Sequence, residues 1–285
     1  MTVVLAGCGD LGTEAALRFA ALGHHVLGLR RSAEKLPASI DAVSVDLGTT
    51  RPTLPADTEI VVVALSAGSR DVDTYRASYV DGLRNVLDAL DEAGAADARV
   101  LFVSSTAVYD VDDGSVVDET TPAIGASPTA EVILEAEALL HARRPDGIVL
   151  RLGGIYGPGR ERLITQVRDG DARLAEPAGS SPHTNRIHRD DAAAAIVHLT
   201  TTSAPTDVLY VGVDDEPARL DDVLTFVADE LGSPVPPSAP PRGRQAGGDK
   251  WLSNARLRGT GFTFEYPTFR EGYRAVIAGE GVRHP

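Results

Sequence analysis

The sequence predicts an α/β fold in which one doubly wound parallel sheet carries a small C-terminal lobe. Short runs rich in Val, Ile and Leu alternate with amphipathic segments through the first half of the chain, and a glycine-rich turn joins the first run to the first amphipathic segment. The alternation ends near residue 153, after which loops and short helical segments dominate. We therefore expect the sheet core at residues 1–153 and the lobe, with strands and helices that return to the core, at residues 154–285.

Six apolar runs have the length and composition of buried strands. They are TVVLA (2–6), HVLGL (25–29), AVSV (42–45), EIVVVAL (59–65), RVLFVSS (99–105) and GIVLRL (147–152). Right-handed crossovers between parallel strands would join them into one open sheet. A further run in the second half, DVLYVGV (207–213), is expected to form an isolated strand.

Four segments carry apolar residues at helical spacing, namely 11–23, 71–94, 128–143 and 220–232. The first two end on glycine, which is typical of a helix C-terminus. The third begins with Pro128, a residue favoured in the first turn of a helix. A Pro/Gly-rich loop is expected at 234–248.

Charge and composition exclude several classes of partner. The formal net charge of −14 repels phosphate backbones and anionic lipid, so we expect neither nucleic-acid nor membrane binding. No apolar run approaches the ~20 residues of a membrane span, and the N-terminus lacks the organisation of a signal peptide, so we expect a soluble, cytoplasmic protein. A single cysteine, Cys8, excludes an intramolecular disulfide and a cysteine-cluster metal site, and we expect no metal.

The turn after the first strand has the GxGxxG spacing of a dinucleotide-binding loop, Gly7-Cys8-Gly9-Asp10-Leu11-Gly12. The first glycine permits a tight turn, the second lets main-chain N–H groups approach a pyrophosphate, and the third lets the helix pack closely on the strand. The helix N-terminus adds partial positive charge toward the phosphates. The core is therefore predicted to be a Rossmann domain, with Gly7, Gly9, Asp10, Leu11 and Gly12 at the cofactor.

Two arginines predict the choice of cofactor. Arg30, 18 residues after Gly12, stands where an NAD enzyme usually places an acid against the ribose 2′-hydroxyl, and Arg31 follows it. Guanidinium groups pair with phosphate, so we predict NADP(H) as the preferred cofactor, with NAD(H) as the alternative. Topology adds contacts to the adenine from Asp46 and Leu47, and to the ribose and pyrophosphate from Leu65 and Ser66.

Five segments together resemble the extended or atypical short-chain dehydrogenase/reductase superfamily, in its NAD-dependent epimerase/dehydratase family. They are AGCGDLG (6–12), VLFVSSTAVY (100–109), LRLGGIYGPGR (150–160), RIHRDDAAAAI (186–196) and NARLRGTGFTFEYPTFREGY (254–273). The last is most similar to a small bacterial branch of nucleoside-diphosphate-sugar epimerases. The resemblance implies hydride transfer at a hydroxyl or carbonyl carbon of a small polar or nucleotide-linked substrate.

The same resemblance implies roles for individual residues. Ser105 matches the catalytic Ser/Thr, whose hydroxyl bonds the reacting oxygen of the substrate. The loop from Gly153 to Gly157 resembles the segment at the nicotinamide, which places Gly153, Ile155 and Tyr156 there. The resemblance implies that His188 positions substrate, with a structural histidine as an equal alternative, and that Asp190 and Asp191 cap the following helix.

One departure from the family puts its acid–base chemistry in doubt. The YxxxK motif should fall in SPTAEVILEAE, where Thr129 occupies the Tyr position and Ile133 the Lys position. Neither side chain ionises near neutral pH. The replacement candidates are Tyr109, Tyr156, Glu131 and His188, and we favour Tyr109 because it lies four residues after Ser105.

Arginines in the loops of the second half predict where substrate binds. Loops over the carboxyl edge of an open α/β sheet are the usual ligand site, which makes Arg160 and Arg186 candidates for an anionic substrate. Ion pairs with the abundant Asp would explain them equally well. The further members of this set are Arg162, Arg242 and Arg244.

Two functions remain open from the sequence. The first is an NADP-dependent oxidoreductase or epimerase acting on a small-molecule substrate, favoured by Ser105, Tyr109 and the IYGPGR loop. The second is a non-catalytic NADP(H)-binding redox sensor or regulator, favoured by Thr129 and Ile133. The family resemblance also implies a homodimer through the helices at 71–94 and 128–143.

Overall fold

The computed structural model describes residues 1–203, 207–240 and 248–284. Seven of its strands form one sheet: β1 Thr2–Ala6, β2 His25–Arg30, β3 Asp41–Ser44, β4 Thr58–Val63, β5 Arg99–Ser105, β7 Ile148–Leu152 and β12 Leu209–Gly212. Their order is β3-β2-β1-β4-β5-β7-β12, and every neighbouring pair is parallel. Because all strands run the same way, their carboxyl ends share one edge, where ligands bind in such sheets.

The remaining strands are short and pair outside the main sheet. They are β6 Val116–Val117, β8 Gly154–Tyr156, β9 Leu174–Ala175, β10 His183–Thr184, β11 Arg186–His188, β13 Ala218–Arg219, β14 Ser238–Ala239 and β15 Trp251–Leu252. The pairs are β11 with β8, β10 with β13, β14 with β9, and β15 with β6. The pair β15 with β6 ties the lobe to the loop that follows β5, and the other three pairs join segments of the lobe to one another.

Nine α-helices lie within the described residues: α1 Asp10–Ala21, α2 Val72–Arg76, α3 Gly82–Glu92, α4 Pro128–Arg143, α5 Arg162–Arg168, α6 Arg189–Thr201, α7 Leu220–Glu230, α8 Ala255–Gly259 and α9 Phe269–Ile277. The segment expected as one helix at 71–94 is α2 and α3 joined by a π-turn at Ala77–Asp81. No helix of the described chain combines the length and hydropathy needed to cross a bilayer.

Helices cover both faces of the sheet, as a parallel sheet requires. Helices α1 and α6 pack against each other and form one apolar layer with the strands. Helices α3 and α4 form the layer on the opposite face. A separate apolar cluster in the lobe joins α5, α7 and α9. The doubly wound fold expected from the sequence is therefore confirmed.

The structure corrects one element of the expected topology. The run at 207–213 is not isolated, because Leu209–Gly212 pairs in parallel with Ile148–Leu152 and forms the edge strand beside β7. Helix α6 likewise covers the sheet although it follows residue 153 in the chain. The second half of the chain thus completes the core before it builds the lobe.

A buried ion pair lies beneath the carboxyl edge of the sheet. Arg151 on β7 and Glu137 on α4 are each 6% exposed. The Nε and Nη2 atoms of Arg151 donate to the two carboxylate oxygens of Glu137 at 2.9 and 2.5 Å, and the Ser104 hydroxyl donates to the same carboxylate at 2.5 Å. Removing one partner would leave the other charge buried without compensation.

We therefore expect Arg151→Met to lower the free energy of unfolding by about 3–5 kcal/mol, which urea denaturation followed by circular dichroism would measure. The matched control is the double variant Arg151→Met/Glu137→Leu, which removes both charges and should recover much of this loss. A double variant as unstable as the single one would show that the unpaired carboxylate is not the cause.

Candidate cofactor and substrate cleft

A cleft of about 840 Å³ opens over the carboxyl ends of β5 and β7, between the core and the lobe. The core contributes Ser105 at the end of β5, Leu152 at the end of β7 and Thr129 in the first turn of α4. The lobe contributes the loops around residues 154–163 and 182–186, together with Gly248, Lys250 and Tyr273. This is the edge at which the sequence places the cofactor and the substrate.

The turn between β1 and α1 has the shape that a pyrophosphate needs. Gly7 has φ +92°, and a Cβ at this position would lie 2.6 Å from the main-chain oxygen of Ala64. A Cβ at Gly12 would lie 2.6 Å from the oxygen of Gly7, whereas one at Gly9 would meet no atom within 4 Å. The turn is therefore packed on its inner side and open at the N-terminus of α1, which fits a dinucleotide.

The side chain of Asp10 in this loop is already engaged. Its carboxylate accepts hydrogen bonds from Arg160 Nε at 2.6 Å, Arg189 Nη1 at 2.9 Å and the main-chain N–H of His284 at 3.2 Å. Burial alone would raise the pKa of Asp10, but these hydrogen bonds and the two guanidinium charges lower it below its usual value. Asp10 thus offers a cofactor its main chain rather than its carboxylate.

The predicted contacts to the adenosine half lie along the same edge of the sheet. Arg30 ends β2 and is half-buried, and Arg31 beside it is exposed. Leu47 is only 5% exposed, and its main-chain oxygen accepts a hydrogen bond from the Asn85 side chain at 2.8 Å. The other residues predicted to bind here are Asp46, which is exposed, Leu65, which is half-buried beside Gly7, and Ser66, which is exposed.

Two hydroxyl residues and an isoleucine, none of which ionises near neutral pH, occupy the positions of the family's Ser, Tyr and Lys. Ser105 is half-buried, lines the cleft and accepts a hydrogen bond from the main-chain N–H of Ala107 at 3.2 Å. Thr129 lines the cleft, and its Oγ1 lies 3.1 Å from the hydroxyl of Ser127. Ile133 is 4% exposed and lies in an apolar cluster with Val108.

The structure removes Tyr109 from the candidate acid–base groups. The residue borders the cleft, but its side chain is 2% exposed and its hydroxyl is sealed from solvent. The guanidinium of Arg151 lies over the ring, 4.8 Å from its centroid. Burial raises the pKa of Tyr109, despite the opposing charge of Arg151. A hydroxyl that water does not reach in an open cleft does not face a substrate there.

Tyr156 is a packing residue for the same reason. Its ring stacks on Tyr273 with 4.5 Å between centroids, and its hydroxyl is sealed from solvent. Burial, followed by the carboxylate of Asp214, raises the pKa of Tyr156 well above its usual range. Gly153 and Ile155, predicted beside it at the nicotinamide, line the cleft, and the exposed Glu131 is outside the lining residues.

His188 caps helix α6 and lies outside the cleft lining of the described residues, which favours the structural role that the sequence left open beside substrate positioning. It is 1% exposed, is absent from the cleft lining, and its Nδ1 accepts the N–H of Asp190 at 3.3 Å. Asp191, expected to cap α6, instead accepts the main-chain N–H groups of Glu265 and Tyr266 at 2.7 and 3.0 Å. Burial lowers the pKa of His188 to about 4.

The cleft lining is cationic although the chain is strongly acidic. Its arginines and lysine are Arg70, Arg160, Arg162, Arg186 and Lys250, against the single carboxylate of Asp110. Of the two predicted anion contacts, Arg160 is bonded to Asp10 and 39% exposed at its side chain. Arg186 is 5% exposed and donates to the Thr184 hydroxyl at 2.8 Å, so it lies deeper in the wall. Arg242 and Arg244 lie outside the described residues.

Sequence reasoning did not single out three residues that the structure brings to this region. Arg189 is 1% exposed and pairs with Asp10. His183 lines the cleft and contacts Asp249 across 66 positions of sequence. Arg189 stands in the quoted RIHRDD segment and also pairs with the adjacent Asp190, but nothing in that segment signals its contact with the phosphate loop. No local pattern joins His183 to Asp249, so only the fold could reveal the contact.

Comparison with known proteins also indicates a nicotinamide-binding fold. A family model described as NAD(P)H-binding matches residues 7–203. A Streptomyces protein named 3-diazoavenalumate denitrifying reductase is 30% identical, with 84% of each chain covered. A structure from Methylobacillus flagellatus, provisionally described as an NAD-dependent epimerase/dehydratase, is 39% identical over 98% of each chain with a TM-score of 0.76. The UDP-glucose 4-epimerase of Thermus thermophilus, in complex with NAD, has a TM-score of 0.80 over 98% of each chain at 21% identity, which supports the fold alone.

The buried cap His188 predicts a pH-dependent stability. Its pKa falls from 6.5 to about 4 on folding, so the unfolded chain binds a proton between these values that the folded protein does not. Stability should therefore fall as pH falls from 6.5 toward 4, by on the order of 1–2 kcal/mol at pH 5 from this residue.

His188→Asn keeps a good helix cap that does not titrate, so its unfolding free energy should depend less steeply on pH in this range. Urea denaturation at pH 7.5 and pH 5 would compare the two proteins, and Asp191, which is present in both, cancels in the comparison. Equal slopes for the wild type and the variant would contradict the assignment.

Proposed function

The chain belongs to the NAD(P)H-binding family and has the extended short-chain dehydrogenase/reductase fold, and we propose that it is an NADP(H)-dependent reductase of a small anionic carbonyl compound. The observation that carries this proposal is the cationic cleft beside the open phosphate loop. Five arginine and lysine side chains line the cleft in a chain whose formal net charge is −14.

Charge supports the anionic nature of the substrate. A cleft lined by one sign of charge concentrates ligands of the other sign locally, although the net charge of the chain repels anions at a distance. Arg162 and Arg160 lie at the mouth, where a carboxylate or phosphate can reach their guanidinium groups. The same lining would disfavour a cationic or a wholly apolar substrate.

The residues of the phosphate loop and the cleft fit a nicotinamide cofactor, and each group has a separate role in binding or catalysis. The bound cofactor would supply the hydride that the substrate carbon receives. The loop from Gly7 to Gly12 would hold the pyrophosphate, and Arg30 the 2′-phosphate. The hydroxyl of Ser105 would donate a hydrogen bond to the reacting oxygen and stabilise the charge that develops on it.

Reduction is favoured over epimerisation and over cofactor sensing without catalysis. The Streptomyces relative bears the name of a reductase, whereas the UDP-glucose 4-epimerase is similar in fold alone. Thr129 and Ile133 favour a redox sensor, because neither supplies an ionisable group. Ser105 in the cleft wall and the exposed Arg162 favour an enzyme, because a protein that senses the cofactor alone needs no groups that contact a substrate.

Arg30 should set the cofactor preference. Arg30→Asp removes a charged hydrogen bond to the 2′-phosphate, worth about 1.5–3 kcal/mol, and places a carboxylate in its stead. We expect NADPH affinity to fall by about tenfold or more, with NADH affinity unchanged or increased, in calorimetric titrations. Arg168→Asp, an exposed charge reversal at the end of α5, is the control and should change neither affinity. Unaltered NADPH binding in Arg30→Asp would refute the assignment.

The proposed activity is tested by single-turnover oxidation of NADPH with matched pairs of substrates. Each pair consists of a keto or aldehyde carboxylic acid and its methyl ester, so the two differ only in charge. We expect the acids to react faster, and Ser105→Ala to slow them by about 10²–10³-fold with NADPH affinity retained. Esters that react as fast as acids would exclude charge recognition, and binding of NADPH without oxidation by any member would favour the sensor.

A further inference from the structure

A histidine and an aspartate outside the family's motifs form a contact on the wall of the cleft. His183 begins β10 and lines the cleft, with 16% of its side chain exposed. One carboxylate oxygen of Asp249 lies 2.8 Å from His183 Nδ1 and 2.8 Å from the main-chain nitrogen of the same residue. The two residues therefore meet through the side chain and the backbone at once.

The aspartate is held in place and stays ionised. Its main-chain N–H donates to Asp112 Oδ1 at 3.0 Å, and its carbonyl accepts the N–H of Gly114 at 3.0 Å. Burial alone would raise the pKa of Asp249, but the hydrogen bonds from His183 lower it below its usual value. Because a carboxylate only accepts, His183 Nδ1 must carry a proton and donate it.

The other ring nitrogen is left for a ligand. Within the described residues His183 Nε2 has no hydrogen-bond partner. The ring stacks against Trp251 with 5.6 Å between centroids and an interplanar angle of 29°. The aspartate at one edge and the indole on one face restrict the rotation of the imidazole, as the orienting partner of a catalytic histidine does.

The pair also lies between the two loops expected at the nicotinamide. Asn185, two residues after His183, accepts the main-chain N–H of Gly154 at 2.9 Å through its carbonyl oxygen. Lys250, next to Asp249, donates through Nζ to the carbonyl oxygen of Tyr109 at 2.9 Å, on the loop that follows Ser105. His183 and Ser105 thus face one cleft, and short hydrogen-bonded connections tie the histidine segment to both loops.

We propose that His183, oriented by Asp249, is the acid–base residue that stands in for the absent tyrosine and lysine of the family. This inference rests on the reductase activity proposed above. It makes His183 a catalytic residue and Asp249 a positioning residue. Both come from the lobe, whereas the family motif would have placed the corresponding groups at Thr129 and Ile133 on α4 of the core.

The proposed step balances in atoms and charge. The carbonyl carbon of the substrate gains a hydride from NADPH, while its oxygen gains the proton from Nε2 of the imidazolium. The products are the alcohol, NADP⁺ and a neutral histidine that keeps its proton on Nδ1. Asp249 stays a carboxylate throughout and stabilises the imidazolium before the transfer.

The test uses His183→Asn, because asparagine can still donate to Asp249 but has nothing at the position of Nε2. We expect a fall of about 10²–10⁴-fold in the rate of single-turnover NADPH oxidation by the reactive acid, with NADPH affinity unchanged by calorimetry. The control is His25→Asn, which alters another histidine paired with an aspartate, Asp41, at 2.7 Å, on the exposed start of β2. It should retain the wild-type rate.

Asp249→Asn tests the positioning role through the pH profile. The charged groups around His183 are Asp249 in contact, Arg219 opposite it on β13, Lys250 beside Asp249, and Asp112, which bonds the main chain of Asp249. Replacing Asp249 removes the negative charge that contacts the ring, and this disfavours the imidazolium relative to the wild type. The decline of the reduction rate with rising pH should therefore move to lower pH than in the wild type, which a purely structural role would not produce.

Nitrogen NMR of the labelled protein gives a readout independent of turnover. The neutral form of His183, identified by the loss of its signals in His183→Asn, should carry its proton on Nδ1. A proton on Nε2 instead, or a wild-type rate in His183→Asn, would overturn the inference while leaving the reductase proposal intact. If the wild-type protein binds NADPH but none of the tested substrates causes its oxidation, both the reductase proposal and this inference are wrong.

Discussion

The carboxylate of Asp10 is the contact on which the relation between core and lobe depends. It sits in the phosphate loop and accepts hydrogen bonds from Arg189 at the start of α6, from Arg160 in the cleft wall and from the main chain of His284. Arg189 is 1% exposed, so its charge requires a partner, and it also donates to the carbonyl of Val282. The phosphate loop is thereby fixed to the cleft wall at Arg160, so a displacement of one would displace the other.

The arrangement of the apolar layers explains why the lobe lies where it does. A parallel sheet must be covered on both faces, and α6 from the second half of the chain supplies part of one cover. The lobe then has its own cluster around α5, α7 and α9 and is attached to the loop after β5 by the pair β15 with β6. A cleft between two separately packed apolar clusters follows, and its lining carries charged side chains such as Arg160 and Arg162.

Local patterns predicted the parts of the molecule that local interactions determine. Helix α4 has the expected bounds, because Pro128 in its first turn and the capping hydroxyl of Ser127 define its start. The phosphate loop was likewise predictable, since Gly7 and Gly12 are required by close backbone contacts and Gly9 keeps the helix N-terminus open. The pairing of β12 was not, because strand partners are chosen by distant segments. The side-chain directions of Tyr109 and His188 also depend on distant packing, around Arg151 in one case and Tyr156 and Tyr266 in the other.

Without the family's tyrosine and lysine, the proposed catalytic groups of this chain come from both the core and the lobe. With Ile133 in the lysine position, that turn of α4 joins an apolar cluster, and no proton can be delivered from it. Ser105, the proposed hydrogen-bond donor, belongs to the sheet. His183, the proposed proton donor, and Asp249 belong to the lobe. The separation of the two donors is then set by the contacts that cross the cleft, chiefly Asp10 with Arg160 and Lys250 with the loop after Ser105. Chemistry divided in this way requires a fixed junction between core and lobe. The hydrogen bond from Arg160 in the lobe to Asp10 supplies one, and Arg189 of α6 holds the same carboxylate from the core.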